Sequence, residues 1–133
     1  MTLIARRSFI GTASLFAAGA LTSCMEEKKT KPSLSHHVFF WLKNPESEED
    51  RQKLIEGIRT LAKIETVLEL HVGVPASTEK REVVDNSYSV SELLFFDGVE
   101  GQNTYQDHPI HLKFVEEYSP LWEKVIVYDT ISA

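Results

Sequence analysis

The stretch 36-HHVFFWLKNPESEEDRQKLIEGIRTLAK-63 decides the fold, because a predicted strand is followed in it by a predicted helix. Its first part, residues 36–43, is dense in aromatic and β-branched side chains, which is typical of a strand. Ser47, with Asp50 three residues later, predicts a helix start of the capping-box type. Apolar side chains then recur at helical spacing, so residues 47–63 are predicted to form an amphipathic helix.

Three further strands and a second helix are predicted downstream of this stretch. Residues 66–74 alternate between apolar and polar side chains, which predicts a half-buried strand. Residues 88–96 and 121–132 are predicted to be the third and fourth strands. The second helix is expected to begin near Val99, and Pro109 is expected to end or kink it.

The predicted element order is β-α-β-β-α-β, which is the ferredoxin-like arrangement of an α+β domain. In that arrangement both helices cover one face of the sheet and leave the other face bare. A bare apolar face favours a symmetric homodimer in which two sheets pack together into a barrel. The apolar side chains predicted for this face include Phe39, Trp41, Val90, Leu94, Val125 and Val127.

The first 24 residues have the pattern of a cleavable signal peptide. The pair Arg6 and Arg7 resembles the twin-arginine export motif, and a short apolar run follows it. The sequence LTSC then resembles the bacterial lipobox, which predicts that Cys24 is lipidated and becomes the mature N-terminus. Residues 25–34 are predicted to be a flexible tether, and residues 35–133 the folded domain. The expected location is a bacterial membrane, periplasmic or at the cell surface, with the lipid anchor as the only membrane contact.

Length and charge limit the possible functions. The chain has 133 residues, which is enough for one domain, and one cysteine, which excludes an internal disulfide. Arg6 and Arg7 are the charged residues among the first 23, so the rest has 14 − 2 = 12 basic against 20 acidic side chains, a net charge of −8. A body this acidic argues against nucleic acid as a partner.

The segment 104-TYQDHPIHLKF-114 contains the candidate functional residues. A metal site needs three or four convergent ligands, and His108 and His111 have no obvious further ligand beside them, so no metal is predicted. An imidazole and a phenol can instead serve acid–base chemistry next to a carbonyl, with His111 as base and Tyr105 as hydrogen-bond donor. A purely structural role, in which His111 ties the kinked helix to a strand, remains open.

The chain from residue 35 to residue 132 resembles the stress-responsive dimeric α/β-barrel (Dabb) family. The resemblance implies a ferredoxin-like protomer in a barrel-forming dimer, and most members of the family have no known activity. A plant polyketide cyclase of the family uses a tyrosine and the second histidine of its HPxH segment, which correspond to Tyr105 and His111. By the same resemblance His36 and Trp122 are expected to line the pocket. The matching segments are HHVFFWLK, HVG, ELLFFD, HPIH and WEKVIVYD.

Three functions follow as hypotheses. The first is an exported, lipid-anchored domain that binds a small apolar or carbonyl-containing molecule between the sheet and the second helix. The second is a lyase or cyclase that acts through His111 and Tyr105. The third is a non-catalytic dimeric interaction module. No cofactor is predicted. His111, Tyr105 and His36 are expected to converge on one pocket, with His108 pointing elsewhere.

Overall fold

The structure, a computed structural model, describes residues 32–133 together with Gly19. The predicted signal peptide, Cys24 and most of the predicted tether lie outside the described residues. Within residues 32–133, none of the helices combines the length and the apolar character needed to cross a bilayer.

The domain has a four-stranded antiparallel sheet, in the order β2-β3-β1-β4, with helices on one face. Short 3-10 turns follow α1 and α3. This arrangement confirms the predicted ferredoxin-like α+β fold. The elements are β1 (Leu34–Leu42), α1 (Glu48–Thr60), β2 (Glu69–Gly73), β3 (Val90–Phe96), α2 (Val99–Gln106), α3 (Pro109–Tyr118) and β4 (Trp122–Ile131).

The first helix begins where the sequence predicts. The Ser47 hydroxyl accepts a hydrogen bond from the Asp50 backbone N–H at 3.2 Å, which satisfies one of the free donors of the first turn. Leu54 and Ile58 are fully buried against the sheet. The apolar stripe of the helix therefore forms the core that its spacing predicts.

Pro109 begins a helix in this protein. Helix α2 ends at Gln106, and Pro109 occupies the first turn of α3, where its missing N–H costs no hydrogen bond. His108 caps α3, since its Nδ1 accepts a hydrogen bond from the Ile110 N–H at 3.1 Å. The interruption predicted at Pro109 is thus found at residues 107 and 108, and Pro109 itself begins the next helix.

Part of the prediction for the bare face is wrong, because several of its residues lie on the helix-covered face of the sheet. Val90 and Leu94 are fully buried beneath the helices. Val125 and Val127 also belong to the helix side, because they pair with Phe40 and Val38 of β1. The prediction was wrong for these four valine and leucine residues, because alternation alone does not show which face of a strand meets a helix.

The opposite face, here called the open face, contains Phe39 and Trp41 as predicted. The Phe39 ring lies 4.2 Å from the His37 ring and 4.9 Å from the Tyr88 ring, measured between centroids. Tyr128 of β4 contacts the same cluster and is 59% exposed. An aromatic cluster thus lies on the face that no helix covers.

Candidate functional site

A cavity of about 180 Å³ lies between the sheet and the helices α2 and α3, beside the edge strand β4. It forms there because the helices leave β4 largely uncovered: Val127 is 44% exposed although it is on the helix side. The walls are mainly apolar, with four titratable side chains among them. The lining residues are His36, Val38, Phe40, Glu92, Tyr105, Gln106, His111, Phe114, Val115, Trp122, Val125 and Val127.

Tyr105 is at the centre of this cluster and is 1% exposed. Its ring centroid lies 4.5 Å from that of His111 and 5.6 Å from that of His36. Helix α2 supplies the tyrosine, α3 supplies His111 and β1 supplies His36. The three residues that the sequence predicted to share a pocket therefore line the same cavity.

His111 has a fixed tautomer. Its Nδ1 lies 2.9 Å from the carbonyl oxygen of Gln106, which can only accept, so Nδ1 carries the proton. Burial lowers the pKa of His111, while the bond to Gln106 opposes that shift. A neutral ring protonated at Nδ1 leaves an unprotonated Nε2, which is the basic nitrogen of the site.

His36 is held by the neighbouring strand. Its Nδ1 lies 2.5 Å from Oδ1 of Asp129, the residue that faces it across the β1–β4 ladder. The carboxylate accepts a hydrogen bond from Nδ1–H, as in the pairs that orient imidazole rings in enzymes. Asp129 was not singled out from the sequence, although its place in the strand segment WEKVIVYD put it opposite the first strand.

Glu92 is the titratable cavity residue that the sequence analysis missed. It lies on β3 and is 1% exposed, and the Tyr105 hydroxyl donates a hydrogen bond to its Oε1 at 3.0 Å. Burial raises the pKa of Glu92 to about 7, against a smaller opposite effect of the bond from Tyr105. Burial and the nearby carboxyl both raise the pKa of Tyr105, which keeps its proton. A sequence signal existed, since Glu92 interrupts an apolar alternation between Val90 and Leu94.

Of the remaining predicted residues, one lines the cavity and the other points away from it. Trp122 lines the cavity and packs its ring 4.9 Å from that of Phe40. His108 points away from it, with Nε2 3.2 Å from a carboxylate oxygen of Glu65. Within residues 32–133, no three His, Cys, Asp or Glu side chains are grouped to hold a metal ion.

A family comparison covers nearly the whole folded part. The model of the stress-responsive A/B barrel domain, Dabb, matches residues 34–132. The chain belongs to the Dabb family. No curated protein matches the chain.

Several solved structures share the fold. A Dabb-family protein with a ferredoxin-like fold from Mesorhizobium loti is 21% identical, with a TM-score of 0.62 over 77% of this chain and 99% of that one. A dimeric ferredoxin-like protein of unknown function from Thermobifida fusca is 18% identical, with a TM-score of 0.60 over 75% and 91%. A hydroxynitrile lyase from Passiflora edulis is 22% identical, with a TM-score of 0.63 over 77% and 96%. At these identities the likeness shows the fold that this family shares.

Proposed function

We propose that this Dabb domain binds a small carbonyl-containing molecule in the cavity between the sheet and helices α2 and α3. The observation that carries the proposal is a cavity of about 180 Å³ with apolar walls and converging polar groups. Ligand sites have this composition, with a few polar groups that fix the orientation of the ligand. An apolar cavity of roughly 150 Å³ can hold benzene, so a ring of six or seven heavy atoms is a fitting ligand. A cavity left unfilled by the protein's own side chains favours this function over a pure interaction module.

Filling the cavity is expected to weaken ligand binding. Val127 lines the cavity from the edge strand and is 44% exposed, so Val127→Phe can fill the space with little disturbance of the core. We expect calorimetry with cyclohexanone to show at least a roughly fivefold weaker binding in this variant, since steric overlap costs about 1 kcal/mol or more. Val83→Phe is the matched control, because Val83 is 86% exposed in the β2–β3 loop. Equal binding by Val127→Phe and the wild type would contradict the site.

A second candidate function is proton removal next to the carbonyl of the bound molecule. The bond from His111 Nδ1–H to Gln106 favours it, because this bond leaves Nε2 unprotonated in the neutral ring. The base would take a proton from the carbon beside the carbonyl and return it to the same carbon or elsewhere on the molecule. Aldol-type cyclases use such a step. One protein of similar fold is a hydroxynitrile lyase, and the cleavage of a hydroxynitrile also needs a base, which takes the proton of the hydroxyl group.

Deuterium exchange tests this second function directly. In heavy water, the wild type should catalyse the exchange of the protons beside the cyclohexanone carbonyl for deuterium. NMR measures the rate of this exchange. His111→Ala should lower the catalysed rate by roughly a hundredfold or more, the usual contribution of a general base. His108→Asn is the control, because asparagine can replace the His108 cap of α3. Exchange no faster than in buffer would leave binding as the function.

The homodimer is proposed for the open face. The proteins of similar fold from Thermobifida fusca and Bacteroides fragilis are described as dimeric. In this chain the Phe39 cluster is the apolar surface that a second copy can cover. Two sheets packed in this way would form the barrel.

Export and lipid anchoring are proposed from the sequence alone. The support is the order of Arg6-Arg7, a short apolar run and the lipobox-like LTSC. Mass spectrometry of the protein from its native membrane should find an acylated Cys24 as the first residue. Cys24→Ser should move the protein out of the membrane fraction, because acyl chains provide the anchor. An unmodified chain that starts at Met1 in the soluble fraction would contradict the proposal.

A further inference from the structure

Glu92 is a carboxyl group in apolar surroundings, and its burial there requires a physical explanation. The helix side of β3 presents Val90, Leu94 and Phe96, all fully buried, and Glu92 lies among them. Burying a carboxylate in apolar surroundings is costly unless the charge is paired or the group is protonated. No cationic side chain pairs with Glu92 among the residues that the structure describes; its hydrogen-bond partner there is the Tyr105 hydroxyl.

One oxygen of Glu92 remains free. Oε1 accepts the bond from Tyr105, whereas Oε2 has no hydrogen-bond partner in residues 32–133. In that part of the chain, the fully enclosed side-chain polar atom without a partner is Thr66 Oγ1. Glu92 Oε2 is therefore reached by open space, and Glu92 lines the cavity. The free oxygen is placed to meet a ligand.

Among the other titratable side chains of the cavity, Tyr105, His111 and His36, the hydrogen bonds of the structure occupy the donors. A tyrosine hydroxyl has one proton, and that of Tyr105 is directed at Glu92. His111 Nδ1 donates to Gln106, and His36 Nδ1 donates to Asp129. The sequence-based role of Tyr105 as the donor to a ligand thus conflicts with its observed bond.

We propose that Glu92 is the ligand-contacting acid of the cavity, whose protonated Oε2 donates a hydrogen bond to the carbonyl oxygen of the ligand. Tyr105 is then a positioning residue, since its hydroxyl fixes the carboxyl group through Oε1. The inference rests on the proposed binding of a carbonyl compound and adds the group that recognises it. Neutral carbonyl compounds are the ligand class. A compound with a protonated amine instead requires the ionised carboxylate.

The surroundings of Glu92 favour its protonated form. The titratable groups around the cavity are Tyr105 on α2, His111 on α3, and His36 on β1 with Asp129 on β4. The buried side chains of α1 and the neighbouring Val72 of β2 are apolar. Burial raises the pKa of Glu92 to about 7, so the carboxyl group changes its protonation near neutrality.

The pH dependence of binding tests the proposal. Calorimetry should show cyclohexanone binding more tightly at about pH 6 than at about pH 8.5, by roughly two- to tenfold, the usual strength of one hydrogen bond. Glu92→Gln should bind equally well at both pH values, because its amide always donates. Methylcyclohexane, which has no carbonyl, should show no such dependence. Glu116→Gln, an exposed change on α3, should behave as the wild type.

A second readout separates this inference from the binding function. Carbon-13 NMR of the Glu92 carboxyl should give a pKa near 7, and Tyr105→Phe should raise it further, because the bond from Tyr105 favours the ionised form. Intact cyclohexanone binding with an ordinary Glu92 pKa, or with the same pH dependence in Glu92→Gln, would overturn the role of Glu92 alone. Tighter binding of cyclohexylamine at high pH would overturn the ligand class. No binding of any probe would overturn the binding function and this inference with it.

Discussion

Replacing Phe39 with aspartate is expected to convert a dimer into a monomer or into aggregates. Phe39 is at the centre of the open-face cluster, with His37, Tyr88 and Tyr128 against its ring. A symmetric dimer through this face would bury two copies of the new carboxylate. Burying an unpaired charge costs several kcal/mol, which is comparable to much of the stability of a small interface. The effect on assembly should therefore be complete at micromolar concentration.

Leu112→Asp is the matched control for this change. Leu112 is 55% exposed on α3, on the opposite side of the sheet from the open face. It should leave the molar mass unchanged in light scattering after gel filtration, while Phe39→Asp either halves it or gives aggregates of higher mass. A wild-type domain that is monomeric at micromolar concentration, or a Phe39→Asp variant that stays dimeric, would contradict the dimer.

Glu92→Gln is expected to stabilise the domain increasingly as pH rises. The pKa of Glu92 is raised from its ordinary value of 4.5 to about 7 in the folded protein. Between these values the folded state keeps a proton that the unfolded chain has lost, so wild-type stability falls as pH rises through this window. A pKa raised by this amount corresponds to about 3 kcal/mol. Glutamine cannot ionise and avoids that loss.

Urea unfolding at several pH values and one fixed protein concentration measures this effect. The difference in unfolding free energy between Glu92→Gln and the wild type should grow by roughly 2 to 3 kcal/mol from about pH 4.5 to pH 8. The lowered pKa of His111 acts in the opposite direction, because its stabilising effect is lost as pH falls. It is present in both proteins and cancels in the difference. A difference that is constant with pH would show that Glu92 titrates normally.

Much of the fold could be predicted because local patterns determine it. The Ser47 cap and the spacing of Leu54 and Ile58 specify α1 without reference to the rest of the chain. The density of aromatic and β-branched side chains in residues 36–43 likewise predicts β1. The structure adds that the even-numbered residues of this strand are buried. Which face of β4 meets the helices depends on the register with β1, and that is a long-range property. Val125 and Val127 were therefore assigned to the wrong face.

The site could be predicted only in part for the same reason. Tyr105 and His111 are close in sequence, and His36 was predicted from the family resemblance. Glu92 joins them because β3 pairs with β1 so that Glu92 lies opposite Val38. That register places the carboxyl group under Tyr105, where burial raises its pKa and its Oε1 accepts the hydrogen bond of the tyrosine hydroxyl. The sequence alone gives neither the register nor the resulting bond.

Methyl NMR of the wild-type domain with cyclohexanone is the most direct test of the central claim that this cavity binds a small carbonyl compound. Val38, Val125 and Val127 place methyl groups in the cavity wall, whereas Leu54 and Ile58 pack in the α1 core. The methyl signals of the three valines should shift as ligand is added until the shifts saturate. The methyl signals of Leu54 and Ile58 should stay in place. Shifts that do not saturate, or that appear away from the cavity, would contradict the claim.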